Sequence, residues 1–191
     1  MHARTAPEPS AWVRRFRHLI TPGGWVLDLA CGGGRHAKWL RGLGHRVTAV
    51  DRNREALKEL EQESGIEVLC IDLESEAWPF AARSFDAVVV TNYLHRPLFR
   101  PLCESMRDGG VLIYETFAAG NERYGRPVNP DFLLRSDELL ERTASLQIVA
   151  FEQGRILVPG PAVIQRICAV RSREPASLES GISIAGEAPF G

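Results

Sequence analysis

Short runs of consecutive apolar residues alternate with amphipathic stretches from Gly23 to Phe117. WVLDLA (25–30), RVTAV (46–50), IEVLCI (66–71), FDAVVV (85–90) and VLIYETF (111–117) have the length and the Val/Ile/Leu content of strands buried on both faces. Helical spacing fills the gaps. Arg35 to Leu43 stops at Gly44, and Asn53 to Ser64 turns Ala56, Leu57 and Leu60 inward and stops at Gly65. Leu98 to Met106 closes at the Asp108-Gly109-Gly110 turn, and residues 9–20 form a helix opened by Pro9-Ser10. Beyond Phe117 the pattern changes. Residues 118–135 read as a long polar loop, and Ser136 as the cap of a helix reaching Thr143. Two strands near 146–152 and 163–170 are joined by VPGPA, too short for a crossover helix, so they pair antiparallel.

This order predicts an α/β fold: a doubly wound, seven-stranded, mostly parallel sheet with an antiparallel C-terminal hairpin and helices on both faces. We expect one domain over 1–171, with helix 9–20 as an accessory and 172–191 as a flexible tail of small, polar, turn-rich sequence.

Composition narrows the class without naming a function. The chain has 191 residues, a net charge of −1 and 25% charged residues. Nothing in that balance demands a polyanionic partner. No apolar run approaches the ~20 residues of a membrane span, and the N-terminus lacks the apolar core of a signal peptide. Cys31, Cys70, Cys103 and Cys168 form neither a CxxC pair nor a Cys/His ladder, so no metal is expected. A reducing, cytoplasmic setting fits them best.

The chemistry starts at Gly32-Gly33-Gly34, between the first strand and the next helix. Glycines there let the backbone approach a ligand, and the helix start presents unpaired N–H groups. Gly32-x-Gly34-x-x-Ala37 fits a dinucleotide fingerprint, and Asp51 ends strand two at the spacing of a ribose-binding acid. Against a nicotinamide cofactor stand Asp28, a carboxylate suited to a cationic amine, and Asp72, a third acid on the same edge. No length is left for a separate substrate domain.

LDLACGGGRHA resembles the glycine-rich first motif of the class I S-adenosylmethionine (SAM) dependent methyltransferases, a likeness extending over roughly 23–171. NYLHRPL and GNERYGRPVNPDFLL are similar to small bacterial methyltransferases near the tellurite-resistance group. The resemblance implies SAM as cofactor, with S-adenosylhomocysteine as product. By position it gives Asp28 and the Gly32 to Gly34 backbone to the methionine moiety, with Ala30 and Cys31 beside the cofactor in the same loop. It gives Asp51 to the ribose hydroxyls, Arg52 to the adenine flank, Asp72 and Leu73 to the adenine edge, and Thr91 and Asn92 to the methionine and the substrate.

The acceptor side is less specific. Base-methylating enzymes carry an Asn/Asp-Pro-Pro-aromatic tetrad where this chain has Asn92-Tyr93-Leu94-His95. His95 is the candidate base and Tyr93 a pocket wall or second catalytic candidate. Glu115 leads into the 118–135 loop, which is expected to close as a lid, with Arg123, Tyr124 and Arg126 toward the substrate. The reading is methyl transfer to a small molecule by in-line displacement. One rival is an RNA or protein methyltransferase using Arg96, Arg100, Arg123, Arg126 and Arg135. Another is a non-catalytic SAM-binding regulatory module. Oligomeric state is not legible.

Overall fold

The computed structural model describes residues 8–172. Seven strands form one sheet: β1 (Trp25–Leu29), β2 (Arg46–Asp51), β3 (Ile66–Cys70), β4 (Phe85–Thr91), β5 (Met106–Phe117), β6 (Gln147–Ile156) and β7 (Ala162–Val170), in the order β3-β2-β1-β4-β5-β7-β6. The first five pair parallel, while β7 runs antiparallel to both β5 and β6. The predicted sheet is therefore the observed one. Its strand order reverses between β1 and β4, and the carboxyl ends of these strands diverge there to open a crevice.

Alternation along the strands explains the two cores. Leu27, Leu29, Val88 and Val90 face α4 (Phe99–Ser105) and α5 (Glu138–Arg142). Val26, Val47, Ala49 and Val89 face α1 (Ala11–Phe16) and α2 (Arg35–Gly42). Both faces are covered, which is why the central strands contain so little polar sequence.

Three local expectations change. The helix expected over 53–64 is one turn, α3 (Arg54–Leu57), followed by a 3-10 turn at Leu60–Gln62. Leu57 and Leu60, three residues apart, still fall on one side as expected, and both are fully buried. Ser136 does not cap α5. Its hydroxyl hydrogen-bonds Asp137, and the first-turn N–H groups go elsewhere. Asp137 N–H donates to the Gln153 side chain (2.9 Å) and Leu139 N–H to Gln165 (3.1 Å), so the hairpin caps the helix. The Asp108-Gly109-Gly110 turn is a break inside β5, because pairing passes from Phe85–Met106 to Ala87–Val111. The helix expected over 9–20 is α1 plus a 3-10 turn at Arg17–Leu19, with the Ser10 side chain accepting from Trp12 N–H. Of the tail expected at 172–191, residues 173–191 lie outside the described residues.

Candidate active site

The glycine loop leaves β1 through Ala30, whose φ of +54° is unusual for a residue with a side chain. Gly32 (φ +55°) and Gly34 (φ +74°) continue the left-handed path into α2. Their surroundings differ. A Cβ on Gly34 would stand 2.6 Å from the Leu60 side chain, whereas one on Gly32 or Gly33 would meet nothing within 4 Å. Gly34 is thus required by packing, and Gly32 and Gly33 bare their backbone to open space. Asn92, at the end of β4, is also left-handed (φ +55°). Two non-glycine residues in that region flanking one crevice fit a functional site, where backbone strain concentrates.

Asp28 and Asp51 hold this loop. Asp28 is 1% exposed, and its carboxylate accepts the Ala37 N–H at 2.9 Å, anchoring the first turn of α2. Burial raises its pKa from 3.8 to about 7 against the pull of that hydrogen bond and of Arg35. Asp51 accepts the Gly32 N–H with one oxygen and the Asn53 N–H with the other, both at 2.8 Å. One carboxylate therefore ties the loop after β1 to the start of α3.

A cavity of about 360 Å³ opens beside them. Ala30, Asp51 and Arg52 line one side, Asp72 and Leu73 another, and Asn92 and Tyr93 the end of β4. Seven of the residues singled out from sequence thus line one cavity. Asp28, Cys31, Gly32, Gly34, Thr91, His95, Glu115, Arg123, Tyr124 and Arg126 are not part of it. Cys31 is buried, with its thiol pushed up by burial and by the Asp28 and Asp51 charges. Thr91 is buried at the end of β4, opposite Glu115 in the sheet. His95 is half-buried just beyond Leu94.

Glu115 belongs to a different structure. It accepts the Ser10 hydroxyl at 2.8 Å and pairs with Arg166 at 3.4 Å, while Ser10 N–H donates to His36 Nε2 at 3.1 Å. These contacts seat α1 across the edge of β5. Burial and Arg35 push His36 down to about 4, which keeps it a neutral acceptor. Sequence reading missed the Ser10–His36 contact because the two residues lie on helices that periodicity treats separately.

The cavity also contains residues that the sequence did not single out: Glu74, Leu94, Thr116, Phe117, Pro127 and Phe132. Glu74 pairs with Arg52 at 3.6 Å. Burial, then the Glu74 and Asp72 charges, raises the Tyr93 phenol well above its ordinary range. Phe132, half exposed within an otherwise polar loop, was the legible signal for the rim. The 118–135 loop reaches the cavity through Pro127 and Phe132, not through its arginines, since Arg123 and Arg126 stand exposed on its surface.

A larger groove of about 1110 Å³ passes Arg83, Arg96, Phe99, Arg100 and Cys103; it holds two arginines of the RNA- or protein-methylating reading and none of the residues expected to bind SAM or a small acceptor. Among the described residues, no three His, Cys, Asp or Glu side chains gather to hold a metal ion, and no helix is long and apolar enough to cross a membrane.

Residues 26–110 match the family model of a methyltransferase domain. The thiopurine S-methyltransferase of Pseudomonas putida is 25% identical over 167 residues, covering 76% of this chain and 77% of the relative. The ubiquinone biosynthesis O-methyltransferase of Methylocella silvestris is 34% identical over 99 residues, 48% of this chain and 39% of that protein. TehB of Haemophilus influenzae shares the fold, with a TM-score of 0.67 at 22% identity over 84% of this chain; the match spans 61% of the TehB chain.

Proposed function

We propose that this chain, a class I SAM-dependent methyltransferase, passes its methyl group to a small-molecule acceptor admitted at the Phe117, Pro127 and Phe132 rim. The observation that carries this is the single cavity in which the acidic strand ends and the aromatic rim meet. Its 360 Å³ lies near the low end of the roughly 300–1,000 Å³ of small-molecule sites.

The residues fit the cofactor. The space over Gly32 and Gly33 is what a ligand pressed on the loop backbone needs, and Asp51 stands between that loop and the cavity. Ala30, Cys31 and the Gly32 to Gly34 backbone would hold the methionine end, with Asp28 fixing the loop from beneath. Asp51 would take the ribose hydroxyls, Arg52 and Leu73 the faces of the base, and Asp72 its edge, with Thr91 and Asn92 closing the strand-four side. The bound sulfonium supplies a methyl group already activated for in-line transfer. This chain's task is then positioning, worth as much as ~7–11 kcal/mol of the barrier. Tyr93, its phenol held protonated, serves as wall and hydrogen-bond donor rather than as base.

Of the arginines that an RNA-binding reading would use, Arg96, Arg100 and Arg135 are already in ion pairs with Glu138, Glu104 and Glu141. That favours the small acceptor. A cytoplasmic setting accords with four free cysteines.

The test is S-adenosylhomocysteine release with 6-mercaptopurine, a first probe suggested by the P. putida relative, and then with a panel of small thiols, phenols and amines. Turnover of at least one, insensitive to salt, is expected. Methylation of RNA or protein alone, with steep salt dependence, would overturn the reading.

A further inference from the structure

Arg96 lies outside the cavity wall, four residues past Asn92, yet it makes the densest set of contacts in this part of the molecule. Its Nε and Nη2 donate to both oxygens of Glu138, at 2.7 and 2.9 Å. Nη1 donates to the Asp131 carbonyl at 2.6 Å and Nη2 also to the Leu133 carbonyl at 2.9 Å. Those carbonyls bracket Phe132, the aromatic residue of the cavity rim. The same short segment supplies Tyr93 and Leu94 to the lining of that cavity.

We infer that Arg96 is a positioning residue for the acceptor: by gripping the chain on both sides of Phe132, it sets the distance between that ring and the Tyr93–Leu94 wall. The inference rests on the small-acceptor reading and adds the determinant of acceptor fit. A planar guanidinium is suited to this, because its fixed fork meets a carboxylate and two carbonyls at once, which a single ammonium does not. Glu138 makes the grip rigid. It is fully buried and also receives Arg142 at 3.2 Å and the Arg135 N–H at 3.0 Å. The other foot of the loop is pinned independently, since the Asn121 side chain accepts the Val163 N–H at 3.1 Å. Beyond Phe132 the chain is held again, where Leu134 N–H donates to the Phe117 carbonyl at 3.0 Å and Ala119 N–H to the Leu134 carbonyl at 2.9 Å, so loosening Arg96 frees the short turn around Phe132 and leaves both feet of the loop in place.

Two variants of the full chain test this. Arg96→Lys keeps a cation beside Glu138 and so preserves the fold, and Phe132→Ala removes the half-exposed ring. With 6-mercaptopurine as acceptor, each is expected to raise the acceptor KM about tenfold while SAM affinity, measured by calorimetry, stays within twofold. The double variant should be no worse than Phe132→Ala, because Arg96 acts through that ring. Effects that multiply, or an equal loss of SAM affinity, would overturn the inference. Chymotrypsin reads the grip without any acceptor: cleavage after the half-exposed Phe132 should be about tenfold faster in Arg96→Lys than in the parent. An unchanged rate would refute the grip. Failure of every small acceptor would instead refute the function proposed above, with the chymotrypsin rates still deciding the role of Arg96.

Discussion

Asp51 Oδ2 accepts the Gly32 N–H at 2.8 Å, so the acid ending the second strand holds the glycine loop that follows the first. The loop's shape and the cavity's acidic edge are therefore one unit, and substitutions in it should separate by what each glycine touches.

Gly34→Ala should be mainly a stability defect. The left-handed backbone costs about 1–2 kcal/mol with a side chain present, and the overlap with fully buried Leu60 adds about 1–3 kcal/mol. Gly32→Ala has only the backbone cost, but its methyl would point into the open cradle. Urea unfolding should rank Gly34→Ala as the less stable, whereas SAM titration should show a tenfold or greater loss of affinity in Gly32→Ala. Equal stabilities would contradict the packing argument.

Asp28 gives the fold a pH dependence of unusual sign for an acid. Its folded pKa is raised from 3.8 to about 7, so between those values the folded state keeps a proton that the unfolded chain has released. Stability then falls as pH rises through this window and levels above it, by at most about 4 kcal/mol. Asp28→Asn, which retains an acceptor for Ala37, should remove the slope. Thermal unfolding should find the variant more stable than the parent at pH 7.5 and no more stable at pH 4.

Glu138 behaves oppositely. Burial alone would raise its pKa, but the hydrogen bonds from Arg96, the Arg135 N–H and Arg142 bring it down from 4.5 to about 2. Its contribution is present above pH 4.5 and is lost as pH falls through about 2, an amount of about 3 kcal/mol. Glu138→Gln should lose a similar amount at pH 7 and flatten the acid limb of the stability curve. An unchanged limb would mean that the pair carries little of the fold's acid sensitivity.

With Tyr93 held protonated and His95 off the wall, proton removal should follow the acceptor's own ionisation. The kcat/KM profile for 6-mercaptopurine should rise through the pKa of that thiol, and His95→Gln should stay within about twofold. A loss of about a hundredfold or more, the scale of general base catalysis, would restore His95 as the base.

The sheet was legible because buried parallel strands leave long Val/Ile/Leu runs, and a strand's end is where a run gives way to polar residues. That placed Asp51, Asp72 and Asn92 on one edge. Helix lengths were less legible: Asn53 marked a true start, but Leu57 and Leu60 share a face in an α-helix and in a broken one alike, so their spacing did not reveal the 3-10 turn at Leu60–Gln62. The rim was legible only as Phe132, an aromatic residue in a polar loop. Its place in the cavity was not, because the Arg96 contacts beside it, to the Asp131 and Leu133 carbonyls, span 35 and 37 residues, and periodicity has no term for such a reach. The same holds for Ser10 and His36, which meet through the packing of α1.

The central claim is that SAM binds on the Gly32–Asp51 edge. Calorimetric titration of the full chain and of Asp51→Asn with SAM tests it most directly. Saturable one-to-one binding, weakened at least tenfold in the variant, is the predicted result; no binding by the parent, or equal affinities for the two, would contradict it.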